Sequence, residues 1–186
     1  MPKIVDHDKR REELLHGCFD LWAERGYSAV TMREIAKELE VSTGTLYHYF
    51  QNKDDLFQQM LSWMGQRDIE RALTMIKKTE SKKEKLEVLF QYVLEEADYF
   101  RKLLLIALDY HRLKGDTPDS VLSHVIQSYR ETIRQELSLP SSDKATLILS
   151  TFFGMLSQGM MDSSHVSWDA HAKFLLNAAP YLFSED

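Results

Sequence analysis

A single cysteine, Cys18, leaves this 186-residue chain unable to form an internal disulfide framework or a four-cysteine zinc site. The thiol sits in an amphipathic run and reads as a buried group, not a reactive one. Glycine (seven) and proline (four) are scarce, which favours helix over turn-rich sheet. No apolar stretch approaches the ~20 residues of a membrane span. The longest, Lys102–Leu108, makes about two helical turns. The opening Met1–Arg11 is polar and mixed in charge and lacks the apolar core of a signal peptide, so a cytoplasmic protein is expected. Catalytic signatures are missing as well: there is no nucleophile elbow, no phosphate-binding glycine loop and no His-Glu-x-x-His. Asp109 and His111 stand two residues apart and diverge on a helix. His165, Asp169 and His171 straddle a helix start. The expectation is no enzyme, no cofactor and no metal.

Positive charge is in deficit too. Lysine and arginine number 23 against 29 acidic residues, a net charge of −6. Taken alone, that speaks against a nucleic-acid partner, because phosphates are neutralised by Lys and Arg. A whole-chain sum says little about one surface, however. Lys3, Lys9, Arg10, Arg11, Arg33, Lys37 and Lys53 form a basic set, diluted by Asp6, Asp8, Glu12 and Glu13. A modest electrostatic contribution is expected, with more weight on shape and specific contacts.

What the chain does contain is helical periodicity, with 44% hydrophobic and 28% charged residues and enough length to bury a core. Leu14, Leu15, Cys18, Phe19, Leu21 and Trp22 recur at three-to-four spacing over Arg10–Arg25. Gly26 then suits a left-handed terminus. Thr31 and Glu34 form a capping box, Ser42 caps a run from Thr43 to Phe50, and Asn52 caps another with Asp54 and Asp55 in its first turn. Longer helices are predicted near 53–63, 65–79, 82–98 and 100–114. Ser81 and Glu84 form a second capping box, and Gly115 ends the fourth. Thr117 and Pro118 open a helix to about Leu137. After a break at 139–142, helix resumes to about Met161, and Ser167 caps a last one to about Phe183. No strand pattern competes, and the first module joins the rest through helix, not a flexible tether.

The segment Thr31–Lys53, TMREIAKELEVSTGTLYHYFQNK, carries the function. Two short helices are joined by about three residues, and Ile35, Ala36, Leu39, Val41, Leu46 and Phe50 suit the core between them. This is helix-turn-helix logic. Thr43, Thr45, Tyr47, His48 and Tyr49 crowd the outer side of the second helix, where exposed aromatics are unfavourable without a partner. Hydroxyl and imidazole groups can donate to phosphates, and Thr methyls and ring edges can pack on thymine methyls. Gly44 removes a side chain at the point of closest approach.

The stretch resembles the DNA-binding domain of the tetracycline-repressor (TetR) family of bacterial transcriptional regulators. The resemblance is carried by FDLWAERGYSAVT, MREIAKELEVSTGTLYHYF and NKDDLF, over roughly residues 8–60. It implies that Thr31 and Ser42 hold phosphates and that Arg33 reaches a base edge. It also implies that Thr43, Thr45 and Tyr47 face the major groove while His48, Tyr49 and Lys53 clamp the backbone. Glu40 stands where the family often has glycine, so a positive φ is expected there.

The resemblance further implies an all-α chain of two parts: a helix-turn-helix domain over 1–52, and a helical effector-binding and dimerisation domain over 53–186. Leu149, Phe152, Phe153, Leu156 and Met160, with Gly154 and Gly159 permitting close approach, are the expected homodimer interface. Two recognition helices would then lie roughly 34–36 Å apart on a palindromic operator. Trp63, Phe90, Tyr99, Phe100, Tyr110, His111, Met155 and Gln158 are the candidate pocket residues, and their chemistry suggests a hydrophobic or aromatic effector. Binding would move the helix at 53–63 and release the operator. The alternative is a helical adaptor that binds only protein, which leaves the side chains of 43–49 without a role.

Overall fold

A computed structural model of the chain describes residues 6–115, 117, 119–162, 164 and 166–185. Lys3, Pro118 and His165 lie outside the described residues. Among the described residues there are ten α-helices and no strand: α1 (His7–Arg25), α2 (Met32–Glu38), α3 (Thr43–Tyr49), α4 (Lys53–Ile76), α5 (Lys82–Glu95), α6 (Ala97–Lys114), α7 (Val121–Glu136), α8 (Ser142–Met161), α9 (Trp168–Asn177) and α10 (Ala179–Phe183). The all-α class expected from the periodicity holds.

Capping chemistry accounts for most of the boundaries. Asp6, Thr31, Ser42, Ser81, Ser141 and Ser167 each accept a first-turn amide, and Thr31 and Ser81 form reciprocal capping boxes with Glu34 and Glu84. Several boundaries differ from expectation by a few residues, and three differences matter most. The helices predicted at 53–63 and 65–79 are one, because Gly65 does not break it. A Cβ at Gly65 would lie 2.9 Å from a Val125 methyl, so glycine serves close packing of α7 there, not a turn. The helix α7 begins at Val121, later than the predicted start. The last predicted helix is two, because Pro180 has no amide to donate and its ring opposes a continuous helix; the chain resets at Ala178.

The chain divides into two compact units. Unit 1 comprises Met1–Met64 and Leu103–Leu122; unit 2 comprises Gly65–Lys102 and Ser123–Asp186. Helices α4 and α6 each contribute one part to either unit.

In unit 1 the predicted stripe of α1 is buried throughout, from Leu14 to Trp22. Cys18 is fully buried, and burial pushes its thiol up to about 12. At the far end of that stripe, Trp22, Tyr27, Phe57 and Tyr110 form one aromatic cluster. Phe57 stacks on Tyr110 at 4.4 Å and meets the edges of Tyr27 and Trp22 at 4.7 and 5.0 Å. Fully burying such a ring contributes roughly 1.5–3 kcal/mol, more when edge-to-face pairs are made.

Unit 2 packs α5, α7, α8 and α9 around Leu86, Ile133, Ile148, Phe152, Leu156 and Leu175. Its C-terminal segment is held by a cation. Lys144 is 4% exposed, and its ammonium donates to the carbonyls of Tyr181 (2.8 Å) and Ser184 (2.6 Å) and to the Ser184 hydroxyl (3.1 Å). A buried ammonium is tolerable only when its donors are met, and three are.

Candidate nucleic-acid interface and ligand cavity

The helix pair α2–α3 is set by its connection. Glu40 takes φ 52, as expected. The Val41 amide donates to the Ala36 carbonyl (2.9 Å) and the Glu40 amide to Lys37 (3.2 Å). These two bonds are the Schellman closure of α2, which satisfies carbonyls the helix end leaves open. A non-glycine residue at positive φ costs on the order of 1 kcal/mol. The closure repays it and fixes the direction in which α3 departs. Val41 then leads into Ser42, whose hydroxyl accepts from the Thr45 amide at 2.9 Å and starts α3.

The helix α3 has two unlike faces. Leu46 and Phe50 are fully buried. Tyr47 is 55% exposed, Gly44 and His48 are exposed, and Thr43, Thr45 and Tyr49 are half-buried. Thr31 and Arg33 on the α2 side are exposed as well. A Cβ on Gly44 would meet only the Ser42 hydroxyl, at 3.6 Å, so the fold itself does not demand glycine there. The side chains singled out at 43–49 are thus offered outward and are not sealed in the core.

Three features of this surface were not legible in the sequence. His7, 42 residues away, shares a 3.1 Å hydrogen bond with the Tyr49 hydroxyl and lies 5.9 Å from the His48 ring. Lys53 is half-buried, and its ammonium donates at 3.0 Å to the carbonyls of Tyr27 and Val30 while lying over the Tyr27 ring. It holds the loop between α1 and α2, and burial, then the nearby Lys114 charge, lowers its pKa. Gly26, before that loop, adopts φ 77 and ψ 160, a region reserved for glycine and distinct from the left-handed helical geometry expected. There the Tyr27 amide donates to Asp109 at 2.8 Å.

Behind the pair, Asp54 gathers the unit. One oxygen accepts from Tyr27 (3.1 Å), Tyr110 (3.0 Å) and Lys114 (3.1 Å), and the other from Gln58 (3.0 Å). Burial alone would raise its pKa, but the bonds from Lys114, Tyr110 and Tyr27 outweigh that and hold the carboxyl below its usual value. Tyr110 is pushed up to about 12, by burial and then by Asp54.

Unit 2 contains a cavity of about 100 Å³ among α4, α5, α6, α7 and α8, walled by Ile69, Leu89, Phe100, Ile133, Phe152 and Leu156 among others. Of the eight expected pocket residues, Phe100 lines it, and Tyr99 donates to Asp68 in its wall. Phe90 lines a small cleft between α5 and α9 instead. Trp63, Tyr110 and His111 belong to unit 1, Met155 is buried elsewhere in unit 2, and Gln158 is exposed. The expected dimer residues are redistributed for the same reason, because the apolar face of α8 turns inward. Leu149, Phe152, Phe153 and Leu156 line the cavity, and only Phe153 and Met160 of the five are half-exposed. Helical spacing shows that a face is apolar but not which way it turns.

Residues 14–60 match the family model for bacterial regulatory proteins of the tetR family. The chain thus carries the N-terminal domain of that family. The chain is 26% identical to the HTH-type transcriptional regulator PksA of Bacillus subtilis over 100% of its own length and 96% of that protein's. Among solved structures it resembles the transcriptional regulator FadR of Bacillus subtilis, crystallised with stearoyl-CoA (TM-score 0.74, 20% identity, 94% of this chain and 98% of that one). It also resembles a TetR transcription regulator of Haloarcula marismortui (TM-score 0.76, 16% identity, 95% and 100%). The protein is therefore a transcriptional regulator of TetR type and not an enzyme. Among the described residues no helix is long and apolar enough to cross a membrane, and no group of His, Cys, Asp and Glu is placed to hold a metal ion.

Proposed function

We propose that this TetR-type regulator represses transcription in the cytoplasm as a homodimer on a palindromic operator, and is released by a small hydrophobic effector. The outward face of α3 carries the proposal, since Tyr47 is 55% exposed while Leu46 and Phe50 on the opposite face are fully buried. Thr43, Gly44, Thr45 and Tyr47 enter the major groove. Arg33 reads a base edge, where a bidentate arginine contributes ~1–3 kcal/mol of discrimination. Thr31, Ser42, His48, Tyr49 and Lys53 set the register on phosphates. Residues 1–52 form the DNA-binding part and 53–186 the effector and dimer part.

The effector occupies the unit 2 cavity. Helices α4 and α6 are shared between the units, so a ligand that shifts either one in unit 2 carries its continuation in unit 1 with it. Only a ligand with different affinity for two states does this. A second copy is seated on the outward side of α8, where Phe153 and Met160 are joined by Leu147 (49% exposed) and Met161 (86%), and by Phe174 (64%) on α9. Such large exposed apolar side chains on neighbouring elements call for a partner.

The test is selection of bound sequences from random duplex DNA with the full chain, followed by footprinting. A protected palindrome is expected, with affinity falling on added salt along a shallow log–log slope, since few cations face the groove. No enriched motif, or a slope near zero, sinks the proposal in favour of a protein-only adaptor.

A further inference from the structure

The unit 2 cavity is mostly apolar, and apart from Thr132 and the half-buried Glu136 its polar lining is gathered around Asp68. Asp68, on α4, is 4% exposed and lines it. The Tyr129 hydroxyl donates to Asp68 Oδ2 at 2.6 Å and the Tyr99 hydroxyl to the same oxygen at 3.0 Å. Among the described residues no hydrogen bond falls on Oδ1. Tyr92 lines the same cavity at 5% exposure, and its hydroxyl is buried with no partner. It stands close enough to Asp68 for the carboxylate to raise its pKa after burial does. One wall therefore holds a desolvated carboxylate bonded on one oxygen and, beside it, a buried hydroxyl that interacts with that carboxylate but has no partner of full hydrogen-bond geometry. Polar groups sealed in this way without a partner are costly, and native folds retain few of them.

The charges around the pair do not cancel it. Arg71, on α4, acts on Asp68 through its charge, but its guanidinium is bonded to Glu96 at 2.5 Å and stands half in solvent. Arg67 is exposed. Glu136, which also lines the cavity, is paired with Lys85 at 3.4 Å. The interior thus keeps one negative charge, two open acceptors and an aromatic and aliphatic wall. An anionic head at that end would meet a carboxylate. A neutral ligand would leave the charge unpaired. A protonated nitrogen would satisfy both acceptors and return the desolvation cost of Asp68 as an ion pair.

We propose that the cavity takes an apolar amine, with its protonated nitrogen seated between Asp68 and the Tyr92 hydroxyl and its hydrocarbon body against Phe100, Ile133 and Phe152. This rests on reading the cavity as the effector site and names the class of effector.

Calorimetric titration of the full chain with three probes of equal length, hexylammonium, 1-hexanol and hexanoate, tests it. Hexylammonium is expected to bind roughly tenfold or more tighter than the alcohol, the order of one desolvated charge pair, and hexanoate weakest. Asp68→Asn should abolish the preference for the amine and leave 1-hexanol binding unchanged. Tyr92→Phe, which keeps the ring and its packing, should weaken the amine alone by a few-fold and serves if the Asn variant folds poorly. Alcohol or carboxylate binding as tightly as the amine overturns the amine assignment and leaves the cavity as an effector site. Failure of all three probes to bind a protein that still binds DNA tells against both.

Discussion

Unit 1 and unit 2 place their unmet chemistry in opposite directions. In unit 1 the charged groups and hydroxyls of the interior cluster are answered, while the buried Trp22 indole N–H has no hydrogen-bond partner among the described residues. Asp54 receives bonds from four side chains, Lys53 closes two carbonyls, and the rings of Trp22, Tyr27, Phe57 and Tyr110 fill the space. What else is left without a partner stands outside, on α3. In unit 2 the outer face of α8 and α9 is apolar and the polar deficit is inside, in the form of a cavity, a desolvated carboxylate and a buried hydroxyl. A macromolecule is met by an outward deficit on a rigid support, and a small molecule by an inward one. The two kinds of recognition are told apart here by where open space and a desolvated charge coincide, which is inside unit 2.

The sharpest way to break this contrast is to truncate one ring in each unit. Phe57→Ala removes a fully buried ring from a filled cluster and should cost ~3–5 kcal/mol in urea unfolding. Phe153→Ala, at the cavity wall, enlarges a space that already exists and should cost about 2 kcal/mol or less. Equal losses would mean the cavity is not a relaxed feature of unit 2.

The two buried-side carboxylates supply the next test, because their shifts have opposite sign. Asp68 is pushed up to about 6, by burial first, against the bonds from Tyr129 and Tyr99 and the charges of Arg71 and Arg67. Its unfolded value is near 3.9. A raised carboxyl penalises the folded state once ionised, so wild type should lose stability as pH rises from about 4 to about 6, on the order of 2–3 kcal/mol in all. Asp68→Asn lacks that loss, so its stability relative to wild type should improve over the same window. Asp54 is depressed, so its contribution is present above pH 4 and fades as pH falls through its folded value. Asp54→Asn should therefore be most harmful at neutral pH and less so in acid. Parallel pH profiles for the two variants would remove the distinction.

On α3 the effects should be smaller and confined to DNA. Tyr47→Ala should leave the unfolding free energy within ~0.5 kcal/mol, as for other surface sites, while weakening operator binding by roughly tenfold. A comparable loss of stability would mark the ring as packing instead. Gly44→Ala is the mildest. Alanine is favoured in a helix by ~1 kcal/mol and finds open space there, so the melting temperature should rise slightly while operator affinity falls. Unchanged affinity would show that no phosphate or base approaches that backbone.

These differences explain what the sequence alone could reveal. Caps and periodicity are local, so Thr31, Ser42, Ser81 and Ser167 announced their helices, and the outer residues of α3 could be named before any coordinate. The cavity is not local. Asp68, Tyr92, Tyr99 and Tyr129 come from four helices, and nothing in their spacing brings them together. Aromatic content alone pointed to Trp63, Tyr110 and His111, which lie in unit 1. The face of α8 was correctly seen as apolar, but its direction depends on what α5 and α7 leave for it to fill. Lys53 reads in the sequence only for its charge, and its second role, closing the carbonyls of Tyr27 and Val30, comes from contacts no spacing reveals.

Cys18 carries one practical consequence. Sealed in the core with its thiol pushed up to about 12 by burial, it offers little thiolate to an oxidant, so Cys18 is ill suited to sense redox state. As the chain's sole sulfhydryl it is also a native clock for unit 1. An alkylating reagent can mark it only in moments when that unit opens, and the rate of marking, with and without operator, counts those openings directly.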